Sequence, residues 1–309
     1  MVLRYMLYQF TLTQSYEQSL HTRSMIKIQD GCDNFCTFCI IPEVRGRAQS
    51  RPLEDILNNI RKVIQYGSRE VVLTGVNIGR YEFEEHKFED LLAKILELEG
   101  NFRVRISSIE PEGIGDKFYT LLNHPKLTPH LHLCLQSGSD PLLMRMRRMY
   151  NIKTYKEIVA KAKTVRPDFN FTTDVIVGFP GETDTDFAAT CEIVKEIGFS
   201  HVHTFKYSIR RGTRAERMKN QVPEQLKNKR SELMREIAEK CKLEYRKEFI
   251  GKKQCVLVEK IKDGIAYGYG EHYLPVMITG SGMEKNCFYN VLIREIDENE
   301  DPVLIGELC

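Results

Sequence analysis

The sequence predicts an α/β fold in which parallel βαβ units close toward a barrel or partial barrel, followed by a small antiparallel β-barrel. Six β-branched runs alternate with amphipathic helical stretches between residues 25 and 208, as happens when helices connect parallel strands. After residue 249 the pattern changes to short strands separated by turn signals. The chain has 309 residues, 42% hydrophobic and 28% charged. That is enough for one large core and a smaller companion domain.

The first part of the chain contributes six predicted strands. They cover residues 25–28, 71–75, 102–109, 130–136, 169–179 and 200–208. The apolar runs between them repeat at helical spacing. The predicted helices cover 52–67, 88–98, 116–122, 154–165 and 184–197, and a long amphipathic helix follows Pro223. Active sites of such folds lie at the carboxyl ends of the strands, so the residues that follow the strands are the candidates for a site.

The remainder of the chain predicts a small β-barrel. Its strands are expected within 254–261, 264–273, 274–281, 286–296 and 302–308. We therefore expect three regions: 1–24 as an N-terminal remnant or linker, 25–249 as the core domain, and 250–309 as the small β domain.

Composition excludes several protein classes. No window approaches the roughly 18 consecutive apolar residues of a membrane span, and residues 1–20 lack the continuous apolar stretch of a signal peptide. We expect no membrane association and a cytoplasmic location, where the nine cysteines stay reduced. The formal net charge is only +2, but residues 206–253 hold 16 Lys/Arg against 7 Asp/Glu. That surplus and the basic run 145–148 indicate a surface for nucleic acid, although most charge runs are simply solvated helix faces.

Three cysteines follow the first predicted strand. Cys32, Cys36 and Cys39 have the spacing C-x3-C-x2-C. A structural zinc site would need a fourth ligand, and the nearby Asp33 and Glu43 are poor ones. The alternatives are a chance group of thiols and an iron–sulfur cluster held by three cysteines, with one iron open to a ligand. The other six cysteines are scattered singly and are expected to be core or surface thiols.

From about Thr22 onward the sequence resembles the radical SAM methylthiotransferases, where SAM is S-adenosylmethionine. The stretches that carry the resemblance are GCDNFCTFCIIPEVRGRAQSRP, VVLTGVNIGRY, RISSIEPEGI, LHLCLQSGSDPLLMRMRRMY, TTDVIVGFPGETDTDF and KYSIRRGTRAERM. The resemblance implies that Cys32, Cys36 and Cys39 hold one 4Fe-4S cluster and that SAM binds its fourth iron. In this family, reductive cleavage of SAM gives a 5′-deoxyadenosyl radical that abstracts hydrogen. The implied fold is a radical SAM partial (β/α)6 barrel with a TRAM-like RNA-binding β domain.

The resemblance also indicates a substrate and partners. LTGVNIGRY, SSIEP and HTFKYSIRRGT are most similar to the branch that places a methylthio group on carbon 2 of N6-threonylcarbamoyladenosine beside the anticodon. The implied partners are a tRNA anticodon stem-loop and an electron donor such as flavodoxin or ferredoxin; the sulfur source is unknown. The family's N-terminal domain, with three further cysteines for a second cluster, has no counterpart before Cys32. We therefore expect this polypeptide alone to cleave SAM but not to complete sulfur insertion.

Six further residues are candidate cofactor contacts because they lie near strand ends in the family motifs. They are Gly75, Ser107, Glu110, Gln136, Asp174 and Tyr207. Each has an ordinary structural alternative: a turn glycine, a strand end, a helix cap near Asp140, or a core tyrosine. Asp174 is the most unusual of the six, because a carboxylate in an apolar strand needs a partner, expected to be SAM or an arginine.

Two other functions remain open from the sequence. One is a catalytically incomplete RNA-binding remnant, which would bind tRNA without forming 5′-deoxyadenosine. The other is a sibling methylthiotransferase that acts on isopentenyladenosine in tRNA or on an aspartate of a ribosomal protein.

Overall fold

The computed structural model describes residues 22–299 and 301–309. The predicted N-terminal remnant 1–24 therefore lies largely outside the described residues. The strands that precede the long helix are β1 Arg23–Lys27, β2 Gln29–Asp30, β3 Gln49–Ser50, β4 Glu70–Thr74, β5 Glu82–Phe83, β6 His86–Lys87, β7 Arg103–Ile106, β8 Ser108–Ile109, β9 His130–Leu133, β10 Asn170–Val177 and β11 His201–Lys206. The helices are α1 Ile41–Val44, α2 Leu53–Gln65, α3 Phe88–Leu96, α4 Asp116–Leu121, α5 Asp140–Met146, α6 Ile152–Val165, α7 Asp184–Ile197 and α8 Glu224–Lys247.

Two parallel sheets form the larger part of the fold. One has the strand order β1-β4-β7 and the other β11-β10-β9-β8. Each connection between parallel neighbours carries a helix, as the alternating sequence pattern predicted. The α/β class and the positions of the six predicted strands are thus confirmed, with one difference: the predicted strand 102–109 is interrupted at Ser107.

The longer helices each bury an apolar face against these sheets, whereas α1 has no buried residue. In α2 that face includes Leu53, Ile56 and Ile60, and Pro52 precedes the helix with its φ of −53° already suited to a helix start. α7 begins with a capping box in which Thr183 Oγ1 accepts from Asp186 N–H, and it ends at Gly198 in the left-handed region. These local signals explain why the predicted bounds of α7 agree with the observed ones.

Two short helices, the four-residue α1 and α5, were not predicted. α5 follows β9 after residues 134–139 and is only seven residues long, too short for a clear helical period. Asp140 is its first residue, not its cap: Ser139 occupies the cap position, and the Asp140 carboxylate instead accepts a hydrogen bond from Ile152 N–H.

The C-terminal region is a closed five-stranded barrel. Its strands are β12 Lys253–Lys262, β13 Ile265–Tyr269, β14 Pro275–Thr279, β15 Phe288–Asp297 and β16 Val303–Leu308, in the order β12-β13-β14-β16-β15. The prediction of a wholly antiparallel barrel was wrong in one place, because β14 and β16 pair in parallel. β15 lies between them in the chain and runs antiparallel to β16, so β16 returns in the direction of β14 and no hairpin joins the two. A separate apolar cluster fills this barrel, with Val256, Ile278 and Val291 fully buried.

Hydrogen bonds connect the barrel to the parallel sheets. Arg103 donates from Nη2 to Tyr269 O at 3.2 Å, and His272 Nε2 lies 2.8 Å from Asp168 Oδ2. Within the described ranges 22–299 and 301–309, no helix has both the length and the apolar character required to cross a membrane.

Candidate cofactor site

The cysteine loop is folded tightly against the turn at residues 46–47. Gly31 precedes the loop with φ at +68°, and a Cβ at this position would lie 2.1 Å from Arg47 O. Cys32 N–H donates to Gly46 O at 3.1 Å. Only glycine can combine this backbone conformation with so close an approach, so the glycine in the motif shapes the loop.

Each sulfur of the triad accepts a hydrogen bond from a nitrogen. Asn34 N–H lies 3.3 Å from Cys32 Sγ, Ile41 N–H 3.5 Å from Cys39 Sγ, and Arg148 Nη1 3.2 Å from Cys36 Sγ. Cys32 and Cys36 are buried, and Cys39 is half-buried. Donors aimed at the sulfurs stabilise thiolates, which are the form that binds metal.

Arg148 places a buried positive charge beside the triad. Its side chain is 3% exposed, and Nη2 contacts the Glu110 carboxylate. Burial raises the pKa of the Cys36 thiol, while the Arg148 charge and hydrogen bond oppose that rise. A bound metal ion would complete the deprotonation that Arg148 already favours. Glu110, predicted as a SAM contact, is therefore observed as the partner of this arginine.

The aromatic residue of the cysteine motif packs into a small apolar cluster. The Phe38 ring meets Phe179 edge-on at 6.3 Å between centroids, and Phe179 meets Tyr207 in the same way at 5.4 Å. Phe179 is fully buried. This cluster packs against one side of the loop.

The spacing of the sulfurs argues against a single zinc ion. Four ligands around one zinc lie about 3.8 Å apart, given a Zn–S distance near 2.3 Å. Among the described residues, three potential ligand atoms lie within 4.8 Å of one another in His132, Asp174 and His203. The sulfurs of the three cysteines do not meet this limit. Two buried thiols and one half-buried thiol, all hydrogen-bonded and with at least one pair of sulfurs more than 4.8 Å apart, fit a multi-iron cluster.

Gly75 has a packing reason to be glycine. A Cβ there would lie 2.7 Å from both Gln29 O and Ile78 Cγ2. The Gln29 side chain in turn accepts from Asn77 N–H at 2.8 Å, and Asn77 Nδ2 lies 3.9 Å from Cys32 Sγ. The stretch after β4 thus contacts the cysteine loop, while a direct contact between Gly75 and SAM stays a prediction.

Four buried polar atoms lack a hydrogen-bond partner among the described residues. Asn77 Oδ1 and Glu112 Oε2 belong to residues that contact the cysteine loop, Tyr207 OH to the Phe179 cluster, and Ser107 Oγ to the wall of a cavity beside β9. The other oxygen of Glu112 accepts from Asn34 Nδ2 at 2.7 Å, which places it at the loop. Buried polar groups are rarely left unpaired, so these atoms fit contacts with a bound polar molecule.

Gln136 follows β9, and Asp174 lies on the neighbouring strand β10. Gln136 has φ at +62°, uncommon for a non-glycine residue, and its backbone N–H donates to Asp174 O at 2.8 Å. The Asp174 carboxylate lies 3.3 Å from His132 Nε2. Its observed partner is thus a histidine and not the arginine expected from the sequence; contacts of Gln136 and Asp174 with SAM stay predictions.

The basic run 145–148 has a different role from a uniform RNA surface. Arg148 is directed inward to Cys36, as described above, and Arg145 Nη1 donates to Gly181 O at 2.5 Å. Arg148 is the functional residue that sequence reasoning missed, since one arginine of a basic run cannot be distinguished from its neighbours by pattern. Further along, residues 210–219 expose five cations: Arg210, Arg211, Arg214, Arg217 and Lys219.

Comparison with known proteins places this chain in a family. Residues 26–194 match the family model of the Radical SAM superfamily. The chain is 42% identical over 281 residues to threonylcarbamoyladenosine tRNA methylthiotransferase MtaB of Thermotoga maritima, covering 90% of this chain and 64% of that protein. It is 39% identical to the MtaB protein of Chlamydia pneumoniae, with 93% and 68% covered. It is 36% identical to tRNA-2-methylthio-N(6)-dimethylallyladenosine synthase of Anaplasma marginale, with 93% and 65% covered.

Solved structures share the fold at low sequence identity. TsrM of Kitasatospora setae, a radical S-adenosylmethionine methyltransferase solved with cobalamin and a 4Fe-4S cluster, has a TM-score of 0.54 at 15% identity, covering 62% of this chain and 36% of that one. Coproporphyrinogen III oxidase (HemN) of Escherichia coli has a TM-score of 0.51 at 17% identity, covering 70% and 51%.

The cofactors of this superfamily, a 4Fe-4S cluster and SAM, suit the three hydrogen-bonded cysteines. The chain spans about two thirds of the length of the curated relatives that it matches. It belongs to the radical SAM superfamily and, within it, to the methylthiotransferase family.

Proposed function

We propose that this chain is the radical SAM core of a tRNA methylthiotransferase that modifies carbon 2 of N6-threonylcarbamoyladenosine next to the anticodon. The observation that carries the cofactor part is the Cys32, Cys36 and Cys39 triad, in which every sulfur accepts an N–H donor. The names of the relatives in Thermotoga and Chlamydia support the substrate.

The protein residues would hold the cofactors and exclude water. With the cluster bound, SAM is a source of a carbon-centred radical that can abstract hydrogen. Arg148 offsets negative charge at the Cys36 sulfur, and the ring of Phe38 shields the loop. Ser107 and Tyr207, whose buried hydroxyls lack protein partners in the described chain, would hydrogen-bond SAM.

We also infer that the two parallel sheets form one partial (β/α)6 barrel around this site. The support is connectivity: β7 and β8 are separated only by Ser107, so a single interrupted strand joins β1-β4-β7 to β8-β9-β10-β11. The five-stranded barrel would act as the TRAM-like RNA-binding domain. The domain boundaries near residues 24 and 249 belong to this proposal.

Exposed cations would bind the tRNA. Phosphate contacts are made by exposed Lys and Arg, and the segment 210–219 follows β11 at the carboxyl edge of the sheet. A one-electron donor of the flavodoxin or ferredoxin class would reduce the cluster. All nine cysteines are free thiols, which supports the cytoplasm as the compartment.

Anaerobic reconstitution tests the cofactor proposal. About four iron atoms per chain, and 5′-deoxyadenosine formed from SAM after dithionite reduction, are expected. Stoichiometric zinc in place of iron, or tRNA binding without any 5′-deoxyadenosine from a fully loaded cluster, would overturn it. The second outcome would favour an RNA-binding remnant.

Mass spectrometry of tRNA nucleosides tests the substrate and the sulfur step. The 309 residues contain one closely spaced cysteine triad, so we propose that this polypeptide alone cleaves SAM without inserting sulfur. A methylthio-nucleoside in the digest would contradict that. Isopentenyladenosine is the second candidate substrate, because the relative in Anaplasma is named for the dimethylallyl nucleoside. Substrate-dependent 5′-deoxyadenosine formation with one tRNA and not the other would decide between them.

A further inference from the structure

A second group of metal-ligand side chains lies on three neighbouring strands and includes none of the cysteines. His132 is on β9, Asp174 on β10 and His203 on β11, and one ligand atom from each lies within 4.8 Å of the other two. Asp174 and His203 are register partners, and His132 pairs with Thr172, two residues before Asp174. Because side chains alternate along a strand, this register brings all three to the same face of the sheet.

We propose that His132, Asp174 and His203 bind one divalent first-row transition-metal ion, such as Zn²⁺, that is separate from the iron–sulfur cluster. Two imidazole nitrogens and one carboxylate form the ligand set of many zinc and non-haem iron sites. One carboxylate is too few for calcium, and imidazole is a poor magnesium ligand.

The ligand separations suit such an ion. Bonds of about 2.0–2.2 Å to nitrogen and oxygen place neighbouring ligands about 3.0–3.6 Å apart. His132 Nε2 and Asp174 Oδ1 are already 3.3 Å apart. His203 completes the set after a small side-chain adjustment, which is feasible because this histidine is exposed.

The second nitrogen of each imidazole is engaged by a neighbour. His132 Nδ1 lies 2.9 Å from Thr172 Oγ1, and His203 Nδ1 lies 3.3 Å from His201 Nε2. Partners of this kind orient the rings of metal-binding histidines and fix the tautomer.

The surroundings leave room for further ligands. A cavity of about 370 Å³ includes His132 and His203 in its wall. Thr172 and Ser107 of the parallel sheets and Tyr273 of the small barrel also line it. Three protein ligands leave at least one coordination position of the ion open, as in catalytic zinc sites. That position would take water or an oxygen atom of a molecule in the cavity. Asp174 would then serve as an ion ligand and not as a SAM contact.

Metal analysis of the cluster-loaded protein tests this assignment. With the cysteines occupied by iron, we expect one equivalent of added Zn²⁺ to remain after gel filtration. Zinc K-edge absorption should show only nitrogen and oxygen neighbours at about 2.0–2.1 Å. Sulfur neighbours at about 2.3 Å would mean that zinc sits on thiolates, and would overturn the proposal without affecting the cluster.

Two variants and a control locate the zinc. His203→Ala and Asp174→Asn should each weaken Zn²⁺ binding by about tenfold or more. His86→Ala, on the β5–β6 hairpin outside the group, should bind as the parent does. Equal zinc content in all four proteins, or none in the parent, would refute the site. His203 is exposed, so its alanine variant should fold, and iron content and melting temperature verify that it does.

Discussion

Arg148 connects Cys36 to Glu110: its Nη1 lies 3.2 Å from Cys36 Sγ, and its Nη2 contacts Glu110 Oε2. A single buried guanidinium thus neutralises a carboxylate and donates to the sulfur of Cys36, a proposed cluster ligand. Hydrogen bonds and charges near the sulfurs set the potential of an iron–sulfur cluster, so this arginine should tune the cofactor.

Replacing Arg148 by methionine tests that role. Removing a positive charge and a sulfur hydrogen bond disfavours the reduced cluster. The midpoint potential should therefore fall by on the order of 60 mV for each 1.4 kcal/mol by which the reduced cluster is destabilised. A potentiometric titration followed by electron paramagnetic resonance measures the shift. Arg147→Met, the same change at the exposed neighbour, is the matched control.

A double variant separates tuning from folding. Arg148→Met leaves the Glu110 carboxylate without its partner and should lower the free energy of unfolding by about 1–3 kcal/mol. Adding Glu110→Gln should recover most of the stability. It should also recover part of the potential, because a negative charge is removed as well, but not the part that the hydrogen bond to Cys36 supplies. Full recovery of both would mean that this hydrogen bond does not tune the cluster.

Gly31 should not tolerate alanine. The Cβ would meet Arg47 O at 2.1 Å, and φ is +68°, so the cysteine loop must move. We expect iron per chain after reconstitution to fall at least severalfold. Gly46→Ala separates conformation from contact, because Gly46 has φ at +79° with nothing within 4 Å of a Cβ. Gly46→Ala should lower the free energy of unfolding by about 1–2 kcal/mol and retain the cluster. Equal loss of iron in the two glycine variants would contradict a steric cause.

The Asp168–His272 bond should make stability depend on pH. The hydrogen bond from His272 lowers the pKa of Asp168 to about 2. A lowered folded pKa contributes stability above the unfolded value of about 3.9, and that contribution is lost as the pH falls toward 2. Because the Asp168 side chain is 36% exposed, solvent screens the interaction, and we expect it to contribute about 1 kcal/mol to the free energy of unfolding.

Urea unfolding at pH 6 and pH 3 measures this contribution. The difference between the parent and Asp168→Asn should be largest at pH 6 and shrink at pH 3. Glu99→Gln, at an exposed position of the loop after α3, should show no such trend. A difference that grew toward acid would contradict the sign.

The segment 210–219 should dominate the salt dependence of tRNA binding. Arg210→Gln with Arg211→Gln should weaken affinity and reduce the slope of log K against log salt by about 1 for each phosphate that the protein no longer neutralises. The matched control is Lys153→Gln with Lys195→Gln, which also removes two exposed charges, from α6 and α7. Filter binding at several salt concentrations gives both slopes, and equal slopes would rule out the segment.

Much of the fold was predictable because its signals are local. The capping box at Thr183 and the glycine at Gly198 delimit α7 within the sequence itself. The seven-residue α5 and the parallel β14–β16 pairing were missed, because a short helix has little periodicity and a strand's partner depends on distant residues.

The sequence by itself determined the cysteine triad, the alternation of strands and helices, and the resemblance that these carry, since each is a matter of spacing along the chain. Tertiary structure decided which arginine of a basic run reaches Cys36 and that the partner of Asp174 is His132. Those contacts join residues that are distant in sequence. They depend on strand register and on the direction in which each side chain leaves its element, and a linear pattern records neither.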